Sequence, residues 1–151
     1  MKNFIVYIGG LTVFVLLAFG TVAVLYGPQA RRFDASSRAF AVHVVEDVFR
    51  DWNPSAIKAE SSRDFRARLG DAQLIALAQS HAARFGPLRA HGEPIGESTP
   101  IFVNFRPRIT ALYWVPVTFE NAEGRVRLRF VMENGRWRLN TFYVNTAPLP
   151  H

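Results

Sequence analysis

Proton transfer, nucleophilic attack and metal ligation each need particular side chains held close together, and this sequence offers few. It has no cysteine, which excludes thiolate chemistry, disulfides and cysteine-ligated metal. His43, His81, His91 and His151 are scattered without ligand spacing, so no metal and no cofactor is expected. A glycine-rich phosphate loop is absent; Gly9-Gly10 falls inside an apolar run. His43 and Asp47 stand one helical turn apart, the spacing of an ordinary exposed helix pair. Three groups remain that could line an internal cavity: His81, Tyr113 and Tyr143. Acid–base work would need a positioned partner beside each, and the sequence places none there. His81 shares the apolar face of its helix and reads as a hydrogen-bonded boundary residue. The two tyrosines read as core aromatics whose hydroxyls reach the rim. No catalytic residue is assigned, and a non-enzymatic role is expected.

Charge is the other chemistry on offer. The formal net charge is +6, and all but two of the 18 basic residues are arginine, the exceptions being Lys2 and Lys58. Five arginines lie in "RVRLRFVMENGRWRLNTFYVN": Arg125, Arg127, Arg129, Arg136 and Arg138. Their alternation with large apolar residues has the period of a strand. Trp114 falls on the same side. Arginine with exposed tryptophan matches the composition of an interface. A solvated, aggregation-resistant sheet face is the plainer reading of the same pattern.

The strands that carry these residues can be laid out. Asn134-Gly135 signals a two-residue hairpin, because a type I′ turn needs positive φ twice. It sets Met132 against Trp137, Phe130 against Leu139 and Val126 against Tyr143. "NAEG" at 121–124 makes the preceding loop and sets Glu120 against Arg125, Val117 against Leu128 and Val115 against Phe130. One face then gathers Tyr113, Val115, Val117, Phe119, Val126, Leu128, Phe130, Met132, Trp137, Leu139 and Tyr143. The other gathers Trp114, Glu120, Glu133 and the five arginines, with Phe142 and Val144. A one-residue slip would bury the arginines. "LRAHGEPI" predicts a weak strand and "IFVNF" a short one between Pro100 and Pro107.

Helices precede the strands. Asp34 is a good N-cap for a helix through Trp52, with Phe40, Val44, Val48 and Trp52 at helical spacing beside Ala41, Val45 and Phe49. Short helices come next, in "PSAIKAE" and "SRDFRARLG". Asp71 caps a longer helix that buries Leu74, Leu77, Ala78, His81 and Phe85 and ends at Gly86-Pro87. Helices ahead of antiparallel strands specify an α+β fold, expected as about three helices on a sheet of four or so strands.

Residues 4–26 form an uncharged apolar run of 23 residues, and a membrane core of about 30 Å needs about 20 helical residues. A transmembrane helix is expected. A cleaved signal peptide fits less well: the run is long for one, and a cut after Ala30 would put Pro28 at −3. The expected organisation is therefore a signal-anchor helix with connector at 1–30 and a soluble domain at 31–151. Counting Lys2 against Arg31, Arg32 and Arg38 favours the C-terminal side inside. A lone N-terminal helix commonly exports the domain attached to it, and export to the periplasm from the inner membrane is the orientation adopted.

The helix–sheet order, "FGPL" at 85–88, "RVRLRFVME" and "GRWRL" before the last strand together resemble the NTF2-like superfamily over about residues 34–146. The resemblance implies a curved antiparallel sheet wrapped as a cone around a long helix. It also implies that a cavity at the cone's mouth could hold a small ligand or an isomerase- or dehydratase-like reaction. One membrane helix joined to such a domain is similar to the layout of VirB8-like periplasmic scaffold components. The expected role is an accessory or scaffold subunit of a membrane protein complex. Its expected partners are other membrane-protein subunits and anionic lipid headgroups. Nucleic acid is not expected, since the aromatics are not interleaved as a stacking platform.

Overall fold

A computed structural model describes residues 29–104 and 106–148. The chain divides into two units, Met1–Phe33 and Asp34–His151. The apolar run at 4–26 lies outside the described residues. Among those described, no helix is long and apolar enough to cross a membrane.

The fold is α+β. Residues 29–49 form helix α1. After it come α2 (Pro54–Glu60), α3 (Arg63–Arg68) and α4 (Asp71–Phe85), then β1 (Leu88–His91), β2 (Ile95–Val103), β3 (Arg106–Phe119), β4 (Ala122–Glu133) and β5 (Arg136–Pro148). The described residues thus hold four helices and five strands, one for each segment that the sequence marks out.

Two of the predicted caps are corrected. Asp34 lies inside α1 rather than at its start. Its carboxylate instead accepts from the Ser98 backbone N–H at 2.8 Å and from the Ser98 hydroxyl at 2.5 Å, tying the helix to β2. Asp71 is the first residue of α4, not its cap. Gly70 takes that place, its N–H donating to Gln73, and Asp71 pairs with Lys58 at 2.8 Å. The shorter helices are capped as their sequences suggest. The Asn53 side chain accepts from Ser55 ahead of a proline at N1, and Ser62 accepts from Phe65.

All strand pairings are antiparallel. β1 and β2 both pair with β3, one after the other along the same edge, with β4 and β5 on its other side. Pro116 explains why this edge is in two pieces. Its carbonyl accepts from Gly92, so its missing N–H also faces that edge, opposite the break between β1 and β2. A Cβ on Gly92 would sit 3.2 Å from the Pro116 ring. β2 runs straight through Pro100, which an edge strand tolerates, and is longer than the short segment expected after it.

The core lies between one sheet face and the helices. Ala41, Val44, Val45, Val48 and Phe49 of α1 are buried, against Tyr113, Val115, Phe119, Val126, Leu128, Phe130 and Leu139 of the sheet. Phe40 meets Phe130 edge-on at 4.9 Å, and Trp52 packs on Phe119 at 5.3 Å. The Trp52 indole N–H, buried with this cluster, donates to the Gly86 carbonyl at 2.8 Å. Gly86, at positive φ and followed by Pro87, ends α4 there.

Candidate interaction surface

The β4–β5 turn forms as its sequence dictates: Asn134 and Gly135 both have positive φ. Met132 faces Trp137 and Phe130 faces Leu139, as expected. The ladder then departs from expectation. Arg129 faces Thr141, so Asn140 is an extra residue bulged from β5. Val126 therefore faces Val144, and Tyr143 faces Arg127. The bulge reverses the last stretch of β5. Phe142 turns inward against Phe49, Phe65 and His81. Tyr143 turns outward and is 59% exposed.

The cause is the junction between α2 and α3. Ser62 N–H donates to the Leu139 carbonyl at 2.8 Å, and the Ser62 hydroxyl donates to the Asn140 side chain at 3.0 Å. Arg68 donates to the Asn140 carbonyl at 2.6 Å. A helix junction docked on the strand holds the bulge open.

The β3–β4 register is also displaced. Val115 faces Val126 and Tyr113 faces Leu128, a shift of four from the pairing expected, because the turn is the two residues Glu120-Asn121 and not 121–124. An even shift preserves which side each residue faces. The division of β3 and β4 into apolar and arginine faces therefore stands.

The outer face has a definite centre. Trp114, Arg127 and Tyr143 are direct neighbours across three strands. The Arg127 guanidinium lies 5.5 Å from the Trp114 ring centre and 6.0 Å from that of Tyr143, within cation–π range of both. Arg125 and Arg129 flank it along β4. A groove of about 1080 Å³ runs past Trp114, Pro116, Thr118, Glu123 and Arg125. A second, of about 610 Å³, shares Ile95 and Trp114 with it and reaches Ile101, Leu112 and Arg129. Ile95 is 66% exposed there.

The acids expected to offset these arginines are engaged elsewhere. Glu120 pairs with Arg89 at 3.1 Å. Both oxygens of Glu133 accept from the Arg63 backbone N–H at 3.2 Å. Among the described residues, Arg125, Arg127, Arg129 and Arg136 make no ion pair. Arg138 is committed differently, donating to the Ala59 carbonyl at 2.7 Å.

The five arginines fall into two groups. Arg125, Arg127 and Arg129 belong to the middle of the sheet. Arg136 and Arg138 line a separate concavity of about 390 Å³ with Arg63 and Arg66 of α3. Sequence reasoning missed Arg63 and Arg66. Their signal was three-residue spacing on one helix face, which looks like an ordinary solvated surface.

The structure separates Tyr113 from the other two cavity candidates. Tyr113 is fully buried, its hydroxyl 2.9 Å from that of Ser37 and donating to the Asp34 carbonyl at 3.2 Å. It is a core residue and not a rim one. His81 and Tyr143 both border a cavity of about 450 Å³ with Phe65, Leu77, Arg84 and Phe142. The bulge takes Tyr143 off the inner face, to which the sequence had assigned it, and sets its ring beside Arg127. His81 Nδ1 lies 2.9 Å from the Leu77 carbonyl, placing the N–H there and leaving Nε2 as the acceptor. Burial pushes its pKa below the ordinary imidazole value; the bond to Leu77 opposes this and Arg84 reinforces it. His43 sits 3.4 Å from both Asp47 and Glu60 in an exposed cluster. No group of residues able to hold a metal occurs among the described residues.

No family model matches the chain, and no curated protein matches its sequence.

Proposed function

We propose that this protein is an accessory or scaffold subunit of a membrane protein complex that docks an acidic partner protein on its outer sheet face. The observation that carries this reading is the Trp114–Arg127–Tyr143 row, flanked by Arg125 and Arg129, which make no ion pair among the described residues. Aromatic and arginine side chains beside an apolar groove form a typical docking centre. Charge decides the partner's chemistry. Two copies of this face laid together would bring arginines against arginines, whereas an acidic segment with apolar side chains would satisfy both the guanidinium groups and Ile95 and Leu112.

The uncharged run at 4–26 supports an inner-membrane anchor, with the domain on the periplasmic side. The α+β architecture, in which one sheet face closes on α1 and the other stays open, supports assignment to the NTF2-like superfamily. The single anchor supports a layout like that of VirB8-like scaffolds.

The test is photo-crosslinking in native membranes from a probe placed at Arg129, with Gln79 on α4 as comparison. The reading expects a crosslink to a protein of the same membrane, through an acid-rich peptide, from position 129 and not from 79. The crosslink should disappear in the Arg125→Ser/Arg127→Ser variant. Crosslinks to lipid alone, or equal crosslinking from both positions, would remove the proposal.

A second reading rests on the cavity of about 450 Å³, which is in the range that holds small ligands. Its mixed lining, with Phe65, Leu77 and Phe142 beside His81, Arg84 and Thr141, suits a small organic acid. A stabilising compound of that class, lost on Leu77→Trp, would favour it; a hit that survives Leu77→Trp would place the compound elsewhere.

A further inference from the structure

Arg63 and Arg66 project from α3, and Arg136 and Arg138 from β5, around one polar concavity of about 390 Å³ that Glu133 and Asn134 complete. Four guanidinium groups thus meet one carboxylate, and both oxygens of that carboxylate already accept from the Arg63 backbone N–H. Among the described residues, the side chains of Arg63, Arg66 and Arg136 have no hydrogen-bond or ion-pair partner, and Arg138 spends one nitrogen on the Ala59 carbonyl. Like charges gathered in a concavity repel one another and attract an anion strongly. The planar, five-donor guanidinium matches tetrahedral oxyanions bidentately.

We propose that this concavity binds a phosphate group of high charge, a phosphomonoester or pyrophosphate. It is distinct from the docking face, since it draws on α3 and the hairpin end of β5 and not on the aromatic row. The site is partly built into the fold. Arg138 is held by α2, and the bonds from Ser62 and Arg68 to the β5 bulge fix α3 against the strand. The two elements that carry the guanidinium groups are therefore held at one spacing before any ligand arrives, and Arg138 is already fixed, which lowers part of the ordering cost of binding. Such a phosphate could be carried by a soluble molecule or by a lipid headgroup.

The full chain in a neutral, non-ionic detergent would be titrated calorimetrically with inorganic pyrophosphate, and separately with micelles doped with short-chain phosphatidic acid. We expect saturable binding to at least one probe. That binding should weaken ~10-fold or more in Arg63→Gln/Arg66→Gln, whose side chains hold nothing in the fold, and weaken also in Arg136→Gln on the other element. The Arg50→Gln/Arg106→Gln pair removes the same charge elsewhere and should change affinity less than ~2-fold. Arginine-dependent binding of pyrophosphate assigns a soluble phosphate, and of phosphatidate alone a lipid headgroup. Equal weakening in both double variants, wild-type binding by Arg136→Gln, or no binding to either probe would overturn the proposal.

Discussion

The two faces of β3, β4 and β5 are made by the same strands, yet they obey different rules. On the inner face, Phe130, Leu128, Val115 and Val126 are completely buried, and each is fixed by its neighbours. On the outer face, Arg125, Arg127 and Arg129 alternate with them and make no ion pair among the described residues. The inner face is constrained by packing. The outer face is constrained only by the strand period, so its arginine content is free to serve a partner. A residue's effect on stability should therefore depend on its parity along the strand.

The sharpest contrast is between adjacent residues of β4. Phe130→Ala should cost about 3–5 kcal/mol of stability, the range for emptying a well-packed phenylalanine site. Arg129→Ala should stay within about 0.5 kcal/mol. Urea unfolding of the full chain in detergent measures both, and equal losses would abolish the distinction. The bulge supplies the next test, because it decides which of two neighbouring aromatics is inside. Phe142→Ala should cost about 2 kcal/mol, less than a fully buried ring because Phe142 is half-buried. Tyr143→Ala should be nearly neutral. The reverse order would mean that β5 pairs without its extra residue.

Smaller effects probe the polar groups at and beneath the inner face. Tyr113→Phe removes the hydroxyl shared with Ser37 and should cost about 1 kcal/mol. The smallest effect concerns His81. Its pKa in the folded protein lies below the ordinary 6.5, so below that pH the unfolded chain binds more protons than the folded one. Stability should fall as pH drops from about 6.5 towards the lowered folded value, and stay level above it. His81→Leu should flatten that slope, and an unchanged slope would assign it to other groups.

The inner-face residues of β3 and β4 were legible in the sequence because parity is robust. Asn134-Gly135 fixed one turn, and the four-residue error in the other turn moved no residue across the sheet. The reversal at the end of β5 was not legible. Asn140 reads as an ordinary strand residue, and the bonds that bulge it come from Ser62 and Arg68, more than 70 positions away in sequence. The same distance hid the second group of arginines, since nothing local places Arg63 and Arg66 beside Arg136. Pro116 and Gly92 are the reverse case. The proline was visible, but its effect on the neighbouring edge needed the partner strand to be known.

The docking proposal is tested most directly by comparing arginine reactivity in native membranes with that in the purified protein. A guanidinium-modifying reagent such as phenylglyoxal, read out by peptide mass spectrometry, reports each arginine separately. The account predicts that Arg125, Arg127 and Arg129 are protected in native membranes and become reactive on purification, while exposed Arg50 reacts alike in both. Equal reactivity of the three sheet arginines in the two preparations would contradict it.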